Sequence, residues 1–188
     1  TNCTTIANKF VSSNYDLILA NATAPLQACA TATAASKIPV IGTSVTDYGT
    51  ALDIQMDPTG TTGINVTGTC DLAPLDKQAD MLKELFPDAK TIGILYCSAE
   101  ANSKYQSDTI TPFFESAGYT VKTYSFADSN DVAAVAKTAC DESDVLYIPT
   151  DNTAASNTGI IDNTATAAKT PILSLIHISE PTRHLRIS

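Results

Sequence analysis

Short apolar runs rich in β-branched residues alternate with helical segments along this chain, and this alternation constrains its fold more than any other feature. Residues 145–148 have the length and composition of a buried strand, and residues 92–96 share both properties. Each of these runs is followed by small polar residues and then by a segment with helical spacing. Repeated βα units with short connections predict an α/β fold built on parallel sheets with right-handed crossovers.

The individual elements can be placed from the same pattern. Strands are predicted over residues 17–20, 40–41, 64–67, 92–96, 120–124 and 145–148, and a further strand starts at 172. Helices are predicted over residues 5–13, 24–36, 74–85, 103–117, 130–140 (N-cap Ser129 or Asn130) and 153–168, and a short turn or helix over residues 49–52. Pro87 and Asp88 interrupt the series, which then starts again. This break predicts two lobes, a partial N-terminal lobe over residues 1–88 and a partial C-terminal lobe over 89–172.

Polar side chains follow the predicted strands at the ends where ligands bind in open α/β sheets. The candidate ligand-binding residues are Thr23, Ala24, Ser44, Thr46, Asp47, Ser98, Glu100, Asn102, Ser103, Asp151 and Asn152. Hydroxyl and amide residues also cap helices in any protein, so Thr23, Ser103 and Asn152 are equally consistent with N-capping. Glu100 is equally consistent with a solvated loop charge or a hinge contact. These side chains include no nucleophile–base pair, and they favour a protein that binds a small polar molecule.

Several segments together resemble the ABC transporter substrate-binding protein family that includes tryptophan/tyrosine-binding lipoproteins. The matching segments are residues 38–41, 45–47, 65–68, 85–93, 96–103 and 151–153. The sequence differs from the family pattern at Cys97, where Asn is common, and at Tyr48, where Pro is common. The resemblance implies two Rossmann-like lobes with parallel sheets, of the periplasmic binding protein type I kind, truncated at both ends of this chain.

The same resemblance implies a function. A small polar ligand, an aromatic or other amino acid, would bind in the cleft between the lobes, and the loaded protein would dock on the membrane permease of a bacterial importer. The protein would act as a monomer outside the cytoplasm, in the periplasm or lipid-anchored on the outer face of the cell membrane. The alternative is the ligand-sensing domain of a transcription regulator or receptor, because the same scaffold serves both.

Composition excludes several other classes. The net charge of −9 argues against a nucleic-acid or anionic-membrane partner, which requires clustered Lys and Arg. No apolar stretch approaches the roughly 20 residues of a membrane span. Among the five cysteines no CxxC spacing supports a metal site, and Cys29 and Cys140 are expected to be small buried residues. Glycine-rich phosphate loops are missing as well, so we expect no enzyme activity, cofactor or metal.

The C-terminal segment stands apart from the rest of the sequence. Residues 173–183 resemble the translation of a transposon-end adapter used in sequencing libraries, and residues 173–188 are therefore predicted to be a non-native tail. Both His (177 and 184) and both Arg (183 and 186) of the chain lie in this segment. The alternative is a genuine final strand, since residues 172–178 have β propensity.

The lack of Arg before this tail limits how an amino-acid ligand could be held. A bidentate guanidinium clamp is excluded, so the ligand carboxylate would rest on helix N-termini and hydroxyls, with Thr23, Ser44 and Ser103 as contributors. The ligand ammonium would pair with Asp151 or, as second choice, Asp47. Three tyrosines are candidates for aromatic stacking, although each could equally lie in the core. They are Tyr48, Tyr96 and Tyr147.

Overall fold

Helices and strands alternate throughout the computed structural model, which describes residues 2–176. The helices are α1 (Asn2–Ser12), α2 (Thr23–Thr33), α3 (Tyr48–Leu52), α4 (Leu75–Leu85), α5 (Ala101–Ser116), α6 (Val132–Glu142), α7 (Asn152–Ser156) and α8 (Thr158–Ala168). The strands are β1 (Ile18–Asn21), β2 (Val40–Val45), β3 (Val66–Cys70), β4 (Thr91–Cys97), β5 (Thr120–Phe126), β6 (Val145–Ile148) and β7 (Ile172–Ser174). All pairings within the two sheets are parallel, which confirms the predicted α/β class.

Two compact units divide the chain between Ala73 and Pro74. This division precedes the break after Asp88 that the sequence pattern predicted, because α4 belongs to the second unit. Helix α4 packs on α5, and its Gln78 Oε1 accepts a hydrogen bond from the Tyr147 hydroxyl of β6 at 2.6 Å. Pro87 and Asp88 therefore follow the end of a helix within the second unit.

The first unit contains one sheet with the strand order β1-β2-β3. Its core joins the inward side chains of these strands to α2, with Leu26 and Val40 fully buried. The opposite face carries Leu19 and Ile41, which lie side by side in register on β1 and β2. Leu19 is 66% exposed, so the other elements of the first unit leave this residue on the sheet uncovered.

The second unit contains a sheet with the strand order β5-β4-β6-β7. The chain leaves β4 toward one side, returns past it, and continues through β6 and β7 on the other side. This reversal places the topological switch point between β4 and β6, where doubly wound sheets bind their ligands. Strand β6 is buried along its whole length and β4 nearly so, as expected for strands covered on both faces.

Some predicted boundaries differ from the structure. The helix predicted over 153–168 is two helices, α7 and α8, separated at Asn157, whose side-chain amide donates to the Thr153 carbonyl at 2.7 Å. The N-cap predicted at Ser129 or Asn130 is wrong, because α6 begins after Asp131. Residues 172–174 form β7 beside β6. Residues 177–188 of the predicted tail lie outside the described part of the chain, and the tail assignment stays a prediction.

Candidate functional site

Polar loops from the carboxyl ends of β4 and β6 meet at the switch point of the second unit. Glu100, just before α5, is at the centre of this meeting. Its Oε1 accepts hydrogen bonds from the Thr153 amide and hydroxyl, both at 2.7 Å. Its Oε2 accepts from the Asn152 amide at 3.0 Å, the Asn152 side chain at 2.9 Å and the Asn102 side chain at 3.2 Å. One carboxylate thus links two loops that are far apart in sequence.

Asp151 makes a second link between the same two strands. Its Oδ1 accepts from the Ala154 amide at 2.7 Å as the N-cap of α7, and its Oδ2 accepts from the Cys97 amide at the end of β4 at 2.6 Å. The side chain is 0% exposed, and this burial raises the pKa of Asp151 above its ordinary value, with the nearby charge of Glu100 acting in the same direction. Both oxygens of this carboxylate are therefore engaged by backbone amides.

The first turn of α5 is tied to the residue after β6 in the same way. The side chains of Asn102 and Ser103 donate to the Thr150 carbonyl at 2.9 and 3.3 Å. Gln106 completes the connection, since its Oε1 accepts from the Thr150 amide at 3.1 Å. We define these residues together as the switch-point network. It consists of Glu100, Asn102, Ser103, Gln106, Thr150, Asp151, Asn152 and Thr153.

Three members of this network, Gln106, Thr150 and Thr153, are not among the candidate residues predicted from the sequence. Gln106 lies one helical turn after Asn102, and its Nε2 donates to the Asn102 carbonyl at 3.3 Å. The i, i+4 spacing of two amide side chains on one helix is the only sign of this role in the sequence. Thr150 takes part through its backbone alone, which residue identity does not reveal. The candidate Ser98 is exposed, and its hydroxyl donates to the Phe126 carbonyl at 3.2 Å.

In the first unit, the candidates follow β1 and β2. Helix α2 begins at Thr23 after Ala22, which contributes no side-chain cap. Ala22 has φ 82° and ψ 163°, a backbone region used almost only by glycine, and its amide donates to the Thr43 carbonyl of β2 at 2.9 Å. Thr23 is buried whereas Ala24 is exposed. The strained Ala22 therefore fixes how the amino end of α2 leaves the sheet.

The end of β2 is also irregular. The register with β3 shifts between Gly42 and Val45, and Ser44, which is exposed, adopts a left-handed conformation with φ 54°. Thr46 is buried, and its carbonyl accepts a hydrogen bond from the Cys70 thiol at 2.8 Å. Asp47 is the N-cap of α3, where its Oδ1 accepts from the Thr50 amide at 2.7 Å. These residues lie at strand ends, as predicted.

Two of the three tyrosines considered for stacking lie in the core. Tyr147 is 0% exposed and packs edge-on against Phe114, with ring centroids 5.3 Å apart. Tyr48 is buried against the first sheet, where its hydroxyl donates to the Thr69 carbonyl at 3.3 Å. Tyr96 is half-buried and keeps the stacking role open. Buried Cys29 and Cys140 match their predicted structural role.

Residues 2–176 contain neither a candidate metal site nor a membrane-spanning helix. In that range no group of three or more His, Cys, Asp and Glu side chains could hold a metal ion. None of the helices within the same range is long and apolar enough to cross a membrane.

A family model described as ABC transporter substrate binding protein matches residues 1–177. The chain belongs to this family. A tyrosine-binding protein of Clostridioides difficile is 37% identical over 172 residues, which are 90% of this chain and 48% of that protein. The chain therefore spans about half the length of this curated relative.

Solved structures agree with the family assignment. An ABC domain from Streptococcus pneumoniae in complex with L-Trp matches with a TM-score of 0.86 and 33% identity, over 94% of this chain and 60% of that chain. A leucine-binding protein from Thermotoga maritima matches with a TM-score of 0.70 and 19% identity, over 92% of this chain and 48% of that chain, and shows the fold alone. The predicted periplasmic binding protein type I fold is confirmed.

The family also decides between the function classes raised by the sequence. Its members are extracytoplasmic proteins that bind small molecules and work with a permease, and they are not enzymes, as predicted. The alternative of a sensor domain in a transcription regulator is not favoured.

Proposed function

We propose that the protein carrying this chain is the solute-binding component of a bacterial ABC importer and that its ligand is an amino acid, preferably an aromatic one. The family match over residues 1–177 is the observation that carries this proposal. Relatives described as tyrosine-binding and as an L-Trp complex support the aromatic class. The polar loops at the switch point of the second unit supply a site of the expected kind.

The charges of the second unit suit a ligand with a cationic group. The switch-point network contains two carboxylates, Glu100 and Asp151, and no Lys. Asp151 is fully buried and therefore too enclosed to contact a ligand ammonium directly. We propose that it stabilises the ammonium through its electrostatic field, and not as the direct partner that the sequence suggested. Asp47 of the first unit becomes the first choice for direct contact. Its hydrogen bond within residues 2–176 uses Oδ1 only, and the side chain is half-buried.

The ligand carboxylate is assigned to the first unit. Helix α2 starts without a side-chain cap, so its amino end and the exposed Ser44 hydroxyl offer donors to an anion. Ser103 is less suited than predicted, because its hydroxyl already donates to the Thr150 carbonyl. Exposed Ser98, Ala24 and Asn152 remain as contacts to the rest of the ligand.

Calorimetry on the protein expressed from the complete open reading frame tests the proposal. L-tyrosine, L-tryptophan and L-leucine are compared with tyramine, indole-3-propionate and a panel of sugars. We expect an aromatic amino acid to bind, and each analogue that lacks one charged group to bind at least about 10-fold more weakly. Binding of sugars alone would show that the amino-acid assignment is wrong.

Further parts of the proposal concern the setting of the protein. We place it outside the cytoplasm as a lipid-anchored monomer that docks on a membrane permease and binds no nucleic acid. Membrane fractionation of the complete protein tests the anchor. Replacement of the cysteine that would carry the lipid should release the protein into the soluble fraction, and unchanged membrane association would contradict the anchor.

A further inference from the structure

We propose that Glu100 is a positioning residue whose carboxylate holds the β6–α7 loop on the β4–α5 loop and so keeps the ligand-binding residues of the second unit in place. This inference rests on the proposed function for its link to ligand binding, while its structural part stands on the geometry alone. It also replaces the direct ligand contact that the sequence suggested for Glu100.

The hydrogen bonds of Glu100 distinguish a residue that links two loops from one that contacts a ligand. Glu100 accepts five hydrogen bonds, and four of them come from Asn152 and Thr153, which lie 52 and 53 residues later in the chain. The fifth comes from Asn102 in the first turn of α5. A carboxylate offers about four lone-pair positions, so this side chain has no acceptor capacity left for a ligand.

Only an ionised acid fits this position. Burial by itself would raise the pKa of Glu100, but the hydrogen bonds from Thr153 and Asn152 outweigh it and hold the pKa below its ordinary value. The amides of Asn152 and Thr153 form the first turn of α7, so the carboxylate also meets the positive end of that turn. A Gln at this position would turn an NH2 group toward donors and leave some of them without an acceptor.

The position of Glu100 connects its linking role to the candidate ligand site. Glu100 bridges β4 and β6 at their carboxyl ends, and these are the strands on either side of the switch point. Asn152, which we assign to ligand contact, receives its position through two of the five hydrogen bonds. If the hydrogen bonds of Glu100 are lost, the β6–α7 loop keeps the buried hydrogen bonds of Asp151. Asn152 and Thr153, which lie farther out on this loop, are then no longer held in position.

Asp144 provides a matched control within the same unit. It is a carboxylate before β6 whose Oδ2 accepts from the Lys90 and Thr91 amides at 2.9 and 2.8 Å. These hydrogen bonds lower the pKa of Asp144 as well. It therefore makes a comparable link between the same two strands, but at their amino ends, away from the candidate site.

The experiment compares Glu100→Gln with Asp144→Asn in the protein from the complete open reading frame. Hydrogen exchange of the peptide spanning residues 149–157 is measured first, without ligand. We expect exchange of the Asn152 and Thr153 amides to rise at least about 10-fold in Glu100→Gln and to stay at the wild-type rate in Asp144→Asn. Unchanged exchange in Glu100→Gln would overturn the proposed link whether or not a ligand binds.

Affinity for L-tyrosine and L-tryptophan is the second measurement. Glu100→Gln should bind at least about 10-fold more weakly, while Asp144→Asn should stay within about 3-fold of wild type at equal thermal stability. If wild type binds either amino acid and Glu100→Gln binds it equally well, the positioning role is wrong although the proposed function stands. If wild type binds neither, the aromatic ligand class of the proposed function is wrong and the exchange data alone decide on the link.

Discussion

Asp47 and Asp151 occupy corresponding places in the two units, and their surroundings differ. Each follows a strand, each is the N-cap of a five-residue helix, and each accepts one amide hydrogen bond at 2.7 Å within that helix. Asp151 also accepts from the Cys97 amide of the neighbouring strand and is fully enclosed, whereas Asp47 is half-buried and accepts from the Thr50 amide of its own helix. The same local motif thus serves an interlocked loop in one unit and a separate loop in the other.

The two sheets that carry these loops also differ in how far they are covered. Strands β4 and β6 are covered on both faces, and polar side chains tie their ends together. Strand β1 alternates between buried and exposed residues, and the loops after β1 and β2 contain strained backbone at Ala22 and Ser44. The second unit therefore holds its candidate residues by hydrogen bonds, while the first holds them by backbone conformation.

The strongest test of this difference replaces each aspartate by alanine. Asp151→Ala should lower the free energy of unfolding of the second unit by about 4 kcal/mol, because two buried amides lose their acceptor and α7 loses its cap. Asp47→Ala should cost the first unit about 1 kcal/mol, the usual value of an N-cap. Urea denaturation followed by circular dichroism and by unit-specific hydrogen exchange separates the two effects. Equal costs would mean that the two loops are held in the same way.

Substitution of one glycine in each sheet compares how tightly the two sheets are packed. A Cβ at Gly68 of β3 would overlap the backbone of Gly42 and the Tyr48 hydroxyl. The atoms nearest to a Cβ at Gly93 of β4 would be side-chain atoms of Ser143 and Leu146. Backbone cannot move aside as side chains can, so we expect Gly68→Ala to cost about 3 kcal/mol and Gly93→Ala about half as much.

Thermal unfolding of both glycine variants provides the measurement, and a second substitution provides the control. Ser143→Ala removes the hydroxyl nearest to the added methyl group, so it should recover part of the loss in Gly93→Ala. It should leave Gly68→Ala unchanged, because these residues lie in different units. A larger loss at Gly93 than at Gly68 would contradict the assignment of the rigid contact to the first unit.

These differences explain what could be predicted from the sequence. Apolar runs such as residues 145–148 gave the strands of the second unit, since a strand buried on both faces leaves a continuous apolar pattern. The polar residues at strand ends were also identified, because the α/β topology brings the carboxyl ends of parallel strands to one edge. The role of each polar residue was not identified, since capping and ligand binding use the same residue types.

Particular residues show why the roles stayed open. Asp151 was expected to face a ligand, but its two oxygens are engaged by the amides of Ala154 and Cys97, and a sequence does not show which amides lie nearby. The break at Asn157 was missed because both halves of residues 153–168 have helical composition. The backbone strain at Ala22 could not be predicted from the sequence, because alanine ordinarily favours helices. Its positive φ is known from the structure.

Ala22 gives the smallest expected effect and the only stabilising one. Its conformation, φ 82° and ψ 163°, costs an alanine about 1–3 kcal/mol, and glycine adopts it without strain. Glycine loses more backbone entropy on folding, by about 0.5–1 kcal/mol, so Ala22→Gly should stabilise the first unit by about 1 kcal/mol in urea denaturation. Ala24→Gly is the control, because Ala24 lies in the first turn of α2 without a positive φ and should lose stability instead.

The same pair of variants tests how the first unit holds its candidate residues. If the strained backbone fixes the amino end of α2 for an anion, Ala22→Gly should gain stability and yet bind L-tryptophan more weakly, because the loop becomes free to adopt other conformations. Calorimetry of both variants supplies the affinity. Should Ala22→Gly lose stability as Ala24→Gly does, the backbone at Ala22 is relaxed in solution, and the contrast between a strained first unit and an interlocked second unit does not hold.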